Sequence, residues 1–318
     1  MKQNISLVDP EEEVVKAIRH LSDEDVKMAL SVQATLRHSL SSSLRNRGFL
    51  EIPPVMVSPL TDPLNHPVSD PRISCYGGEM WLTKSMIFHK QIAVQKLGRI
   101  YIMSPNIRLE TSDKAETGRH LYEFTQVDVE ALEWTRDQSM DLAENLIIEA
   151  VRAVREENRK EMEAFGRDIS DFRKGFRRIS YLDASREYGD EFEKSLSADA
   201  KEPVWLVDIP LQAREFYDRE REDTPGILMD MDLIWPEGFQ EGLSGGEREY
   251  DYGRILERIG KKGQNPETFK WFLAAAKQGM KGSSGFGIGV ERFTRYLCGL
   301  KHAGMATAFP KIPGRISL

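Results

Sequence analysis

The sequence predicts a mixed α+β domain in which an antiparallel sheet is flanked by helices, and three observations carry that prediction. A long segment with helical apolar spacing begins near Ser22 and stops at Gly48, and a short strand and two prolines follow at once. Tyr122 to Glu130 sets Val127 and Val129 between Gln126, Asp128 and Glu130, the alternation of a half-buried strand. A glycine-rich turn, Gly285 to Gly289, runs into a final amphipathic helix. With 318 residues, 40% of them hydrophobic, the chain can fill a sizeable core.

Each element follows from local chemistry. Ser22, backed by Asp23, Glu24 and Asp25, opens a helix whose apolar positions Val26, Ala29, Leu30, Val32, Leu36 and Leu40 recur as far as Arg47. Gly48 ends it. Phe49 to Ile52 reads as a strand, closed by Pro53 and Pro54, which cannot donate to a ladder. Asp62 to Gly78 is rich in Pro, Asp, Ser and Gly, lacks periodicity, and reads as a long loop of the kind that forms lids. Ser85 to Lys96 is helical, Arg99 to Ser104 strand-like, and Asp137 to Glu163 one long amphipathic helix. Pro203 to Ile209 and Ile227 to Ile234 read as strands. Glu249 to Ile259, Pro266 to Met280 and Val290 to Leu300 read as helices, with no internal repeat anywhere.

Composition narrows the function classes. The formal net charge is −7 and no Lys/Arg block forms an extended basic face, which disfavours nucleic acid as the main partner. Cys75 and Cys298 are too few for a disulfide framework or a zinc site. Met1 to Ala17 is polar, without the apolar core of a signal peptide, and no apolar run suits a membrane span. A cytoplasmic enzyme is the expectation.

Three separated stretches carry chemistry. Arg108 and Glu110 precede a charged loop that ends in Arg119 and His120, and a strand follows. Two strands joined in this way suit a nucleotide. The planar guanidinium of Arg108 matches an α-phosphate, Arg119 and His120 reach the outer phosphates, and Phe124 offers a purine an apolar plate. Phe124, Gln126, Asp128 and Glu130 share one face of the strand, so the plate and the polar groups Gln126 and Asp128 line one floor. Taken singly, each charged residue reads as a surface ion pair; as an ordered set they do not. In the second stretch Arg292 begins a helix just after Gly285, Gly287 and Gly289, and backbone amides together with that arginine favour a phosphate. The spacing does not match a dinucleotide fingerprint. In the third, Glu241 and Ser244 are hard oxygen donors of the kind that suit Mg²⁺.

Together these stretches resemble the class II aminoacyl-tRNA synthetases, specifically the aspartate, asparagine and lysine subgroup. Arg108 to Glu130 resembles motif 2 of that family, the helix, Gly48, strand and Pro53 resemble motif 1, and Gly285 to Arg292 resembles motif 3. The resemblance implies that family's catalytic fold, a homodimer formed largely through motif 1, and the use of ATP and Mg²⁺. It also implies ATP contacts at Arg108, Glu110, Arg119, His120, Phe124, Glu241 and Arg292, with Arg108 and Arg292 catalytic. The metal falls to Glu241, Ser244 and Asp232. The amino acid falls to Ser85, Lys90, Gln126, Asp128 and Arg248, where the cations Arg248 and Lys90 suit a substrate with two carboxylates. Two departures stand out: Ile87 replaces a usual glutamine, and the loop Thr111 to Gly118 is longer than usual.

In this subgroup the tRNA-charging enzymes carry an oligonucleotide-binding barrel of about 100 residues before motif 1. Motif 1 begins here near Val26, so the expectation is a single catalytic domain over residues 1–318 with no anticodon-binding domain. That organisation is similar to the archaeal-type asparagine synthetases. It implies that L-aspartate, ATP and ammonia give asparagine, AMP and pyrophosphate through a β-aspartyl-adenylate, with tRNA not a partner. Two other readings stay open: a free-standing enzyme that aminoacylates or modifies a tRNA, and an inactive paralogue that binds nucleotide or aspartate.

Overall fold

The computed structural model describes residues 9–318. The first described element is a helix that periodicity did not announce, α1 (Pro10–Ser22), which Asp9 caps and Pro10 opens ahead of three glutamates. Asp23, rather than Ser22, then caps α2 (Glu24–Asn46) by accepting from the Asp25 amide. Val26, Ala29, Val32, Leu36 and Leu40 are buried along α2 as expected, while Leu30 is only half-buried. After Gly48, at φ 78°, β1 (Leu50–Glu51) follows.

The stretch read as one long loop is only partly a loop. β2 (Val57–Ser58), β3 (Arg72–Cys75) and β4 (Gly78–Leu82) form a small sheet in the order β2-β4-β3. Tyr76 and Gly77, both at positive φ, close the β3–β4 hairpin. Its side chains are mostly exposed, so no alternation betrayed it. Next come α3 (Ile87–Leu97), β5 (Arg99–Ile107) and β6 (Glu123–Leu132), an antiparallel pair longer than predicted.

A capping box of Thr135 and Gln138 starts α4 (Arg136–Glu157), and Asn158 separates it from α5 (Arg159–Ala164), where one helix was expected. β7 (Arg177–Ser180), α6 (Tyr181–Tyr188), α7 (Phe192–Asp199), β8 (Val204–Val207), β9 (Asp230–Trp235) and β10 (Gln240–Glu247) follow. Then come α8 (Tyr252–Lys261), a 3-10 turn at Pro266–Phe269, α9 (Lys270–Ala276), β11 (Ser283–Gly289) and α10 (Val290–Cys298). The predicted glycine-rich turn is therefore a strand.

The large sheet runs β1-β5-β6-β11-β10-β9-β8-β7, antiparallel from β5 to β8 with parallel pairs at both edges. Its helical face is the main core. Val127, Val129, Phe286, Ile288 and Leu243 pack there with Leu36 and Leu40 of α2, Leu146 of α4 and Phe293 of α10. The opposite face of the sheet is left to the site.

Glycine makes the centre of the sheet possible. A Cβ at Gly285 would lie 2.1 Å from the Val129 carbonyl oxygen and 2.3 Å from Glu130 Oε2, and one at Gly245 would lie 2.3 Å from the Gly285 oxygen. Gly285→Ala should cost about 3 kcal/mol, measured by chemical denaturation, because backbone must move to admit the methyl group. Gly260→Ala, in α8 with open space around it, should instead stabilise the protein by about 0.5–1 kcal/mol.

Candidate active site

Two adjoining cavities open on that face. The first, of about 240 Å³, lies over the outer ends of β5, β6 and β10 and is lined by Arg108, Glu110, Arg119, His120, Phe124, Gln126, Glu241 and Arg292. The sequence-predicted nucleotide residues thus come together. The Arg108 guanidinium lies 5.1 Å from the Phe124 ring centroid, and its Nε donates to the Lys84 carbonyl at 3.0 Å. Arg292 Nη1 pairs with Glu241 Oε2 at 3.1 Å, and its Nε reaches the Arg119 carbonyl at 3.4 Å.

The electrostatics of this wall suit a polyanion. Arg119 has a buried Nη1 with no partner, and burial together with Arg292 lowers its pKa. Burial, Arg292 and Arg119 push the His120 imidazole down to about 3, so it is neutral at physiological pH. Its Nδ1 sits 2.6 Å from Thr117 Oγ1. Burial would raise the Glu241 carboxyl, but Arg292, Arg119, Arg214 and Arg108 outweigh it and hold the group well below the usual carboxylate range. Glu110 Oε1 meets His66 Nε2 at 3.1 Å. Burial would raise Glu110 too, and the hydrogen-bonded His66 holds it below its ordinary value instead.

The second cavity, of about 200 Å³, lies over the middle of β6, β10 and β11 and is lined by Ser85, Lys90, Gln126, Asp128, Ser244 and Arg248 among others. Lys90 Nζ lies 3.0 Å from Asp128 Oδ1 and 3.6 Å from Glu130 Oε2. Arg248 donates to Glu130 at 3.2 Å, to Asp218 at 2.7 Å and to the Gly285 carbonyl at 3.0 Å. Gln126 Oε1 accepts from Asn106 at 2.7 Å, and Ser85 Oγ accepts from the Ile87 amide at 3.2 Å. Asp128 Oδ2 is buried without a partner. His66, Arg108, Gln126 and Glu241 line both cavities and mark where they meet.

Two expectations need correcting here. Arg248 and Lys90 do not present two free positive charges, because Asp128, Glu130 and Asp218 already face them and the formal balance is 2 − 3 = −1. Asp232 lines neither cavity, and Arg214 pairs with both Asp232 and Asp230. Glu241 and Ser244 do reach the second cavity, and Asp232, opposite Ser244 in the β9–β10 register, keeps a buried, unpartnered Oδ1. Among the described residues no group of three His, Cys, Asp or Glu side chains is placed to hold a metal. The donor set fits Mg²⁺ only with phosphates and water completing its shell.

Sequence reasoning missed His66, Asp62, Arg214, Tyr217, Asp218 and the role of Glu130. Most of these belong to segments without periodicity: Tyr217 Oη donates to both oxygens of Asp62 at 3.2 Å, and Asp218 forms an isolated bridge with Arg248. The alternation placed Glu130 on the same face as Asp128, but not its pairing with Arg248 and Lys90.

Comparison with known proteins places this geometry. A family profile described as "tRNA synthetases class II (D, K and N)" matches residues 9–313. An asparagine-tRNA ligase of Thermococcus gammatolerans is 28% identical over 327 residues, covering 97% of this chain and 75% of the relative. An asparagine-tRNA ligase of Pyrococcus abyssi is 29% identical over 314 residues, covering 93% and 71%. The structure of asparaginyl-tRNA synthetase from Pyrococcus horikoshii complexed with asparaginyl-adenylate superimposes with a TM-score of 0.89 at 26% identity, over 99% of this chain and 75% of that one. The fold is that of the class II synthetases.

These relatives overturn the reading as an aspartate-ammonia ligase, since they are tRNA ligases over nearly the whole of this chain. They also weigh against the exclusion of tRNA, and nothing in them supports ammonia. The pocket agrees, because the dicarboxylate reading rested on cations that are already paired. No helix among the described residues is long and apolar enough to cross a membrane.

His120 supplies a check on the electrostatics. A histidine held near 3 when folded and 6.5 when unfolded binds fewer protons in the native state, so its stabilising balance is lost as pH falls from about 6.5 towards 3. His120→Asn should therefore flatten the dependence of unfolding free energy on pH between about 6.5 and 4, measured by denaturant titration. An unchanged slope would mean that His120 protonates freely.

Proposed function

Since the chain belongs to the class II tRNA synthetases of the D, K and N group, we propose that it is an ATP-dependent ligase that activates asparagine or aspartate as an aminoacyl-adenylate and transfers the acyl group to tRNA. The observation that carries this reading is the junction of the two cavities at Arg108, Gln126 and Glu241. A nucleotide over Phe124 directs its α-phosphate towards Arg108, and an amino acid over Lys90 and Arg248 directs its carboxylate to the same place. Attack of that carboxylate on phosphorus needs positioning and charge neutralisation rather than a covalent enzyme intermediate. Arg108 neutralises the α-phosphate, while Arg119 and Arg292 face the outer phosphates. Mg²⁺ held by Glu241 and the Ser244 hydroxyl with the phosphates would add to that neutralisation.

The side chain is read by a charge cluster with both signs. A carboxamide offers an acceptor to Lys90 and Arg248 and a donor to the unpartnered Asp128 oxygen or to Asp218, which a carboxylate cannot do. Asparagine is favoured over aspartate for that reason, in line with the names of the relatives. The homodimer belongs to the same proposal, with Leu50, Met56 and Val57, exposed in the segment that follows α2, as the apolar surface a second copy would cover.

ATP-pyrophosphate exchange with each amino acid, followed by transfer to tRNA, tests the reading. Exchange should depend on asparagine or aspartate, with AMP as product and acyl-tRNA formed on adding tRNA. Formation of ADP, or no amino-acid-dependent exchange, would sink it. Arg248→Ala should lower kcat/KM for the amino acid by roughly 100-fold, the scale for removing one member of a buried charged pair.

A further inference from the structure

We propose that His66 is the general base of the transfer half-reaction, taking the proton of the acceptor hydroxyl as it attacks the acyl-adenylate; this rests on the function proposed above. His66 lines both cavities, with Arg108, Gln126 and Glu241, so its ring borders the place where an acyl-phosphate bond would form and break. The segment that carries it is fixed on both sides. The Ser69 amide donates to the Leu109 carbonyl at 3.0 Å, tying the loop to the chain between Arg108 and Glu110, and Asn65 Nδ2 donates to the Ala213 carbonyl at 2.7 Å.

The ring is oriented as a base requires. Its Nε2 lies 3.1 Å from Glu110 Oε1, and the Glu110 side chain is only 4% exposed. A buried carboxylate accepting from Nε2–H leaves the lone pair on Nδ1, the logic by which an acid holds an imidazole in the basic tautomer. Nδ1 has only a long contact, 3.4 Å, with Asn65 Oδ1; in the Nε2–H tautomer both atoms are acceptors and no hydrogen bond joins them, and the imidazole is 38% exposed, so an acceptor hydroxyl can approach Nδ1. The other imidazole of the nucleotide cavity, His120, is ringed by Arg119 and Arg292 and already engaged with Thr117. Of the two, His66 alone is hydrogen-bonded to a carboxylate.

The step balances. The acceptor oxygen bonds to the acyl carbon, the bond from that carbon to the phosphate oxygen breaks, AMP leaves with the electron pair, and the proton moves to Nδ1 of His66. The activation step transfers no proton and makes no such demand on the ring.

The two half-reactions separate the roles. In His66→Ala, single-turnover transfer to tRNA should fall about 100-fold more than ATP-pyrophosphate exchange, the low end for losing a general base. Hydroxylamine, a nucleophile that needs little base assistance, should still trap the adenylate as hydroxamate, and added imidazole should restore transfer in proportion to its free-base concentration. Equal losses in exchange and transfer, or transfer not restored by imidazole, would reduce His66 to a structural pin of the loop and overturn the proposal. A wild-type protein that shows no exchange would defeat the underlying function instead, so the two failures are distinguishable.

Discussion

A carboxylate with no solvent exposure, Glu130, holds the active face together. It stands on β6 and accepts from Arg248, which follows β10, and from Ser283 Oγ on β11 at 2.7 Å, with Lys90 of α3 3.6 Å away. Four separate elements are thereby joined through one side chain. A buried charge of this kind costs several kcal/mol to desolvate, and losing one partner typically costs about 3–5 kcal/mol, so each group depends on the others being in place. The glycine at 285 belongs to the same constraint, because any side chain there would meet Glu130 itself.

The sheet keeps this polar cluster apart from the core without a separate framework. Alternation on β6 turns Val127 and Val129 into the helical face and Phe124, Gln126 and Asp128 towards the cavities, with Glu130 on the same face paired to Arg248 and Lys90. Of the groups around the second cavity, Asp128 is carried by β6 itself and Lys90 by α3, while Arg248 and Asp218 meet in an isolated bridge outside the strands. The first cavity is bordered by the 3-10 turn at Ser112–Thr117, through Lys114, and by the start of α10, through Glu291 and Arg292. There the surplus of arginine charge around Arg119 and His120 is a standing demand for phosphate.

Much of this was legible in the sequence. The two-residue period of β6, the helical period of α2 and the order of Arg108, Arg119, Glu241 and Arg292 are local signals, and those four residues do meet around one cavity. What escaped were quantities set by contacts between distant segments. Arg248 and Lys90 read as free cations because their counter-charges come from positions 118 and 38 residues away, and from Asp218 in an irregular stretch. The assignment to aspartate grew from that miscount. Asp232 misled in the same way, since Arg214 lies in a segment with no periodicity to place it. The hairpin at Arg72–Leu82 was missed because a small exposed sheet buries nothing that sequence alternation records.

The central claim is that one continuous face, from Phe124 to Arg248, holds an aminoacyl-adenylate with its acyl-phosphate link at Arg108. A crystal structure with a non-hydrolysable sulfamoyl analogue of asparaginyl-adenylate tests it most directly. The account predicts the base beside Phe124, the sulfamoyl group within hydrogen-bonding reach of Arg108, and the carboxamide against Lys90, Arg248 and Asp128. A ligand bound elsewhere, or a side chain directed away from Arg248, would contradict it.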